Sequence, residues 1–204
     1  MMPFVPWNRP HRLAAVDSAA LVAQLAEGEA AALDELYRRE AGPVYRYALA
    51  LGGNAAWAAD ATQEAFVALA QRPRGFDASR GTLGAYLAGV ARHALAAQWR
   101  ARRLEAPLDD GEDSEDIDAG ALDAAALSPE QQLVQRQDSA QVWAALRRLA
   151  PPFREALVLV DLQERPYAEA ARIAGIEVNT LRTRLHRARQ KLAALLGAAG
   201  GSRE

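Results

Sequence analysis

Apolar positions recur along this chain at intervals of three and four, the period of one buried helix face. The clearest stretch is Tyr167 to Leu196. There Val178, Leu181, Leu185, Ala188, Leu192 and Leu195 form one stripe, and Arg182, Arg184, Arg187, Arg189 and Lys191 lie off it, with Asn179, Thr180, Thr183 and His186 among them. Before that stripe a shorter helix is predicted, separated from it by Gly175-Ile176-Glu177. Ala171 is small enough for close helix approach, Gly175 can take the left-handed conformation a sharp corner needs, and Leu181 can plug the corner. This pattern predicts a helix-turn-helix, whose second helix enters the major groove, with arginine forks suited to phosphate pairs and the guanine edge. A helical hairpin with a merely solvated basic face is the plain alternative.

The same periodicity predicts helices in the first half. Asp17 or Ser18 can cap a helix carrying Leu21, Val22 and Leu25. A second helix is expected over Glu29–Arg39 with Leu33, Leu36 and Tyr37 inward, and a third beginning at Pro43 with Val44, Tyr47, Ala48 and Leu51 apolar. Gly52-Gly53-Asn54 ends it. The next helix buries Ala58, Ala61, Ala65, Phe66 and Leu69, and leaves Asp60, Gln63 and Glu64 together on the opposite face. A loop over Arg72–Thr82 precedes a last helix that begins at Leu83 and ends in a basic run.

Composition sharpens this all-α reading. Half of the 204 residues are apolar, aromatics make up 6%, and the apolar share is dominated by helix-favouring Ala and Leu. There is no cysteine, which excludes disulfides and thiolate metal sites. His11, His93 and His186 are far apart, so no metal-ligand spacing and no cofactor is expected. No apolar run approaches a membrane span, and the N-terminal stretch lacks the apolar core of a secretory signal.

The formal net charge of −2 hides an uneven distribution. Residues 1–103 hold 12 basic and 9 acidic side chains, residues 104–130 hold none basic and 10 acidic, and residues 131–204 hold 12 basic and 7 acidic. The acidic middle is too poor in large apolar residues to offset its ordering entropy. The expected organisation is therefore a flexible arm (1–16), a helical domain (17–103), a flexible acidic linker (104–130), a helix-turn-helix domain (131–197) and a short tail (198–204).

Asp60-Ala61-Thr62-Gln63-Glu64-Ala65-Phe66 resembles the D-x-x-Q-E-x-F motif of region 2 of the sigma-70 family. Phe76-Asp77, Gly81-Thr82-Leu83, Tyr86-Leu87 and Ala91-Arg92 resemble the segment that follows it, and Leu146–Leu192 resembles region 4, including Phe153-Arg154-Glu155-Ala156-Leu157 and Thr180 through Arg189. Two such domains with no third between them resemble the extracytoplasmic-function (ECF) group of sigma factors.

The resemblance implies a cytoplasmic transcription initiation factor that is not an enzyme. Asp60, Gln63 and Glu64 would dock on the clamp helices of the RNA polymerase β′ subunit. Phe76, Arg92, His93 and Arg100, with Arg102 and Arg103, would serve the −10 promoter element, where a flipped base is captured. Arg182, Thr183, His186 and Arg187 would read the −35 element, with Arg184 and Arg189 on phosphate. Core RNA polymerase, promoter DNA and an anti-sigma factor are the implied partners. Residues 105–123 of the linker would track a basic channel of the polymerase; a solvated spacer that only sets reach is the alternative. Competing readings are a stand-alone helix-turn-helix regulator that binds an operator without polymerase, and a helical adaptor that binds no DNA. The chain departs from the family pattern at His93, usually asparagine, at Ala97, often aspartate, at Ala170, commonly isoleucine, and at Leu149-Ala150-Pro151-Pro152, where the usual Leu-Pro is displaced by one residue.

Overall fold

In the computed structural model, residues 17–105 and 141–200 are described. Among them every regular element is helical. The expected arm (1–16), nearly all of the acidic linker, residues 131–140 and the end of the tail lie outside the described residues.

The first half begins with α1 (Ser18–Ala26), whose first turn is capped by the Asp17 carboxylate accepting from the Ala19 amide at 3.1 Å. Leu21 and Val22 are its buried residues. α2 (Ala30–Gly52) is one helix of 23 residues, where the sequence predicts two with a break before Pro43. Proline inside a helix removes a hydrogen bond and costs about 3 kcal/mol. Here Ala32 and Leu36 on one side of Pro43, and Val44, Tyr47, Ala48 and Leu51 on the other, are all buried. That continuous packing outweighs the local cost. Gly53, with φ of 72°, ends the helix by donating to the Leu49 carbonyl.

Asn54 caps α3 (Ala55–Gln71) by accepting from the Trp57 amide at 2.9 Å. Ala58, Ala61, Ala65, Phe66 and Leu69 are buried as the spacing predicts. Thr62 is buried with them, its hydroxyl donating to the Ala58 carbonyl at 2.7 Å. Two short 3-10 turns, Pro73–Gly75 and Ala78–Arg80, occupy the expected loop. α4 (Leu83–Glu105) follows, capped by the Thr82 hydroxyl accepting from the Ala85 amide at 3.2 Å. α2, α3 and α4 pack on one another, and α1 packs on α2.

The second half opens with helical residues 141–147 (α5). α6 (Pro151–Leu157) carries both prolines in its first turn, where their missing amide hydrogens break no helical bond, so the displaced Leu-Pro leaves the helix intact. It runs into a π-helical turn, Val158–Leu162. α7 (Tyr167–Ala174) and α8 (Val178–Gly200) form the helix-turn-helix. α8 packs on α6 and α7.

The two halves share one contiguous apolar cluster. α4 lies against α7, and α2 lies against α6 and the π turn.

Candidate nucleic-acid and polymerase interfaces

The corner between α7 and α8 is built by backbone chemistry. Gly175 has φ of 65°. Its amide donates to the Arg172 carbonyl at 3.2 Å, and the Ile176 amide reaches back to the Ala171 carbonyl at 3.0 Å. This paired closure satisfies the last carbonyls of α7 and turns the chain into α8. Ala171, Leu181, Leu185 and Ala188 are buried, and Ala170 is fully buried. At Ala170 the core therefore holds only a methyl group.

With that stripe buried, Arg182, Thr183, His186 and Arg187 are exposed on α8, and Arg184 is half-buried beside them. Asn179, Thr180, Thr183, Arg184 and Arg187 line a shallow depression. Arg182 sits over the Tyr167 ring, 5.7 Å from its centroid, and 3.4 Å from the Asn179 side-chain oxygen. Arg189 stands differently. Its guanidinium forks onto Asp161 of the π turn at 2.6 and 3.0 Å, and this bonding holds its pKa above the usual arginine value. Lys191 lies 5.4 Å from the centroid of the Phe153 ring. The five basic side chains thus do not form one free set.

On α3, Asp60, Gln63 and Glu64 are exposed. The stripe continues to Val67, 44% exposed, one helical step beyond. Beside it Tyr37 is 51% exposed and packs its ring on Phe66 at 4.8 Å. Tyr37 therefore does not point inward as its spacing from Leu33 predicts. Leu33 is itself only half-buried, so this edge of the α2 stripe lies at the rim of the core. The α3 face combines acidic and amide groups with an exposed apolar edge that spacing alone did not disclose.

The four residues assigned to the −10 element are spread over the 3-10 segment and α4. Phe76 is half-buried and meets Tyr86 edge-on at 5.8 Å. Asp77 fixes the neighbouring turn by accepting from the Ser79 amide at 2.9 Å and hydroxyl at 2.7 Å, bonds that lower its pKa. His93 and Arg100 are exposed, and Arg100 donates to the Ala96 carbonyl. The side chains of Arg102 and Arg103 lie outside the described residues. Arg92 points into the protein, and its Nε donates to Glu155 of α6 at 2.7 Å.

Glu155 is the centre of the contact between the halves. It is 5% exposed and accepts a second hydrogen bond, from the Tyr47 hydroxyl of α2, at 2.9 Å. Burial, together with the charge and hydrogen bond of Glu155, raises the Tyr47 phenol well above its usual pKa, so it stays a donor. Next to it, Arg154 donates to the Leu51 carbonyl of α2 at 2.9 Å and to the carbonyls of Leu146, Arg147 and Leu149, closing the end of α5. Burial lowers its pKa. At the other end of the contact, Thr82 donates to Glu169 of α7 at 3.0 Å, and Glu169 pairs with Arg165. Gln163 donates to the Pro43 carbonyl. None of these cross-contacts has a signal in local spacing.

Comparison with known proteins agrees with this architecture. The profile of Sigma-70 region 2 matches residues 36–105, and that of Sigma-70 region 4 matches residues 139–192. The chain is 32% identical over 191 residues to the ECF RNA polymerase sigma factor BldN of Streptomyces coelicolor, covering 91% of this chain and 70% of BldN. It is 35% identical over 173 residues to the ECF RNA polymerase sigma factor SigE of Mycolicibacterium smegmatis, covering 82% of this chain and 63% of SigE. The solved structure of CnrH in complex with the cytosolic domain of CnrY superposes with a TM-score of 0.63 at 25% identity, covering 89% of this chain and 99% of that one. With both region profiles in order and identity of this extent, the chain belongs to the ECF group of RNA polymerase sigma factors, proteins of promoter recognition at transcription initiation.

Proposed function

We propose that this sigma factor binds core polymerase through the α3 face, captures the −10 element with the Phe76–Arg100 surface, and reads the −35 element with α8. The observation that carries this reading is the exposed set Arg182, Thr183, His186 and Arg187 on α8, held outward by the buried Leu181, Leu185 and Ala188. That arrangement gives forked donors and short polar groups at groove-floor positions. Arg184 sits nearer the rim, suited to phosphate. Asp60, Gln63 and Glu64 dock on the β′ clamp helices, and the exposed Val67 and Tyr37 supply apolar area to the same contact.

The protein acts as an initiation factor, with the polymerase supplying the chemistry. Its place of action is the cytoplasm, where polymerase and promoter are; no described helix is long and apolar enough to cross a membrane. An anti-sigma partner is also proposed, because the structurally similar CnrH was solved with the cytosolic domain of CnrY bound. The domain limits 17–103 and 131–197, joined by the acidic segment 104–130, complete the assignment.

The test is reconstitution. Purified chain is added to core polymerase with a DNA library randomised across a −35 and −10 spacing, and transcripts are sequenced. Transcripts sharing two motifs at fixed spacing, absent without the chain, are expected. Specific duplex binding without polymerase and no transcripts would support the operator-binding regulator instead.

A further inference from the structure

Tyr167, the first residue of α7, keeps 39% of its surface exposed. Its ring is not part of the apolar cluster that joins the described residues, so core packing does not account for it. What fills the ring face is a cation. The Arg182 guanidinium lies over it, 5.7 Å from the centroid, inside the distance of about 6 Å at which a ring quadrupole attracts a guanidinium. The same guanidinium reaches the Asn179 side-chain oxygen of its own helix at 3.4 Å. Arg182 is thus held between α7 and the first turn of α8. The Tyr167 side chain also lies near the Arg189 guanidinium, which Asp161 holds by its fork.

The backbone that carries the ring is fixed from both directions. Glu164 takes a left-handed φ of 52°, which a non-glycine residue adopts only where its surroundings hold it there. The Arg165 amide donates to the Leu159 carbonyl at 3.0 Å, and its side chain donates to the Gln163 oxygen at 2.9 Å and pairs with Glu169. Pro166, at φ of −55°, then sets the entry into α7. On the other side, Gly175 fixes the angle at which α8 leaves α7. Ring and guanidinium therefore meet through two rigid corners. An exposed arginine otherwise spreads over many rotamers, and ordering it on binding costs affinity.

We infer that Tyr167 is a positioning residue for −35 specificity: its ring holds the Arg182 guanidinium in the orientation in which that fork meets one base edge. The inference rests on the −35 assignment of Arg182 made above. It gives α7 a part in base selection that passes through another side chain. The aromatic face carries this role and the hydroxyl does not, so phenylalanine at 167 preserves it. Losing a cation–π contact at an exposed site corresponds to a roughly two- to fivefold effect, and it falls on the one base position that Arg182 reads.

The test uses the full chain assembled with core polymerase. Holoenzyme is mixed with a pool of promoter duplexes that share one −10 motif and are randomised across the −35 element, and the bound fraction is sequenced. Arg182→Ala should relax preference at one −35 position. Tyr167→Leu should relax preference at that same position roughly two- to fivefold and leave the other positions unchanged. Tyr167→Gln, which removes the ring without adding exposed apolar surface, should do the same and guards against a folding defect of the leucine variant. Tyr167→Phe should keep the starting preference. Tyr167→Leu with Arg182→Ala should be no worse than Arg182→Ala alone, because the two side chains act as one unit. Weaker binding spread evenly over all positions in both ringless variants, a phenylalanine variant that behaves like them, or additive losses in the double variant would overturn the positioning role while the base-reading role of Arg182 stands. Unchanged preference at every position in Arg182→Ala would instead remove Arg182 from base reading, and the positioning role with it.

Discussion

Arg92 of α4 and Glu155 of α6, 63 residues apart in sequence, meet in a 2.7 Å charge-assisted hydrogen bond at the junction of the two halves. A residue expected to face promoter DNA is therefore committed to a carboxylate of its own chain. The Tyr47 hydroxyl donates to the same carboxylate oxygen, Oε1. Tyr47→Phe should remove one of its two side-chain donors with little change in volume. The expected cost is about 1–3 kcal/mol, measured by urea unfolding. An unchanged midpoint would show that the Tyr47 hydroxyl contributes nothing at this junction.

Glu40 of α2 lies close enough to α4 that its carboxylate would be 2.8 Å from a Cβ at Gly84. Burial raises its pKa above 4.5, against the opposing charge of Arg165. A folded pKa above the unfolded one contributes stability that is present below the unfolded value and is lost as pH rises through the folded value. Glu40→Gln removes that loss. The variant should melt higher than the starting protein at pH 7, and the gap should shrink toward pH 4. A gap independent of pH would rule out Glu40 as its source.

The α3 face should tolerate charge reversal without unfolding, because Asp60 and Glu64 are exposed. Asp60→Lys with Glu64→Lys should weaken capture of core polymerase in a pull-down while helicity is retained. Val67→Asp should weaken it further, since it places a charge in the apolar edge. Undiminished capture by the triple variant would remove this face from the polymerase contact.

On α8 the structure sets Arg189, paired with Asp161, apart from Arg184 and Arg187, which line one shallow depression. Arg187→Ala should cost roughly 1–3 kcal/mol and relax preference at one base position. Arg184→Ala should weaken all duplexes alike and lower the salt slope by about one. Arg189→Ala should change the slope by less, because Asp161 already holds that guanidinium. Asp161→Asn should free it and steepen the slope. Salt titrations against a fluorescent duplex carrying the selected −35 motif measure all four; identical slopes throughout would contradict the division.

Gly175→Ala tests the corner. The added methyl would meet nothing within 4 Å, so its cost is conformational alone. About 1–2 kcal/mol is expected for alanine at a left-handed φ, and less for asparagine, which tolerates that region. Thermal melting of the two variants gives the comparison. Equal loss for both would point to a cause other than backbone conformation.

The features legible in the amino-acid order alone are local ones. The stripe Leu181, Leu185, Ala188 specifies which side of α8 is buried, because a period near 3.6 leaves a helix one apolar face. Gly175 specifies the corner, and Asp17 specifies a helix start, because each acts on backbone groups within a few residues. The motifs on α3 and α8 were legible for the same reason. Tertiary structure decided what depends on neighbours remote in the chain. Pro43 stays inside α2 because burial on both sides outweighs a local penalty. Tyr37 is exposed because its edge of α2 lies at the core's rim and packs on Phe66. Arg189 pairs with Asp161 across 28 residues, and Glu155 gathers Tyr47 from 108 residues away. Such pairs leave no periodic trace, since only the packing of one helix on another brings their side chains within hydrogen-bond reach.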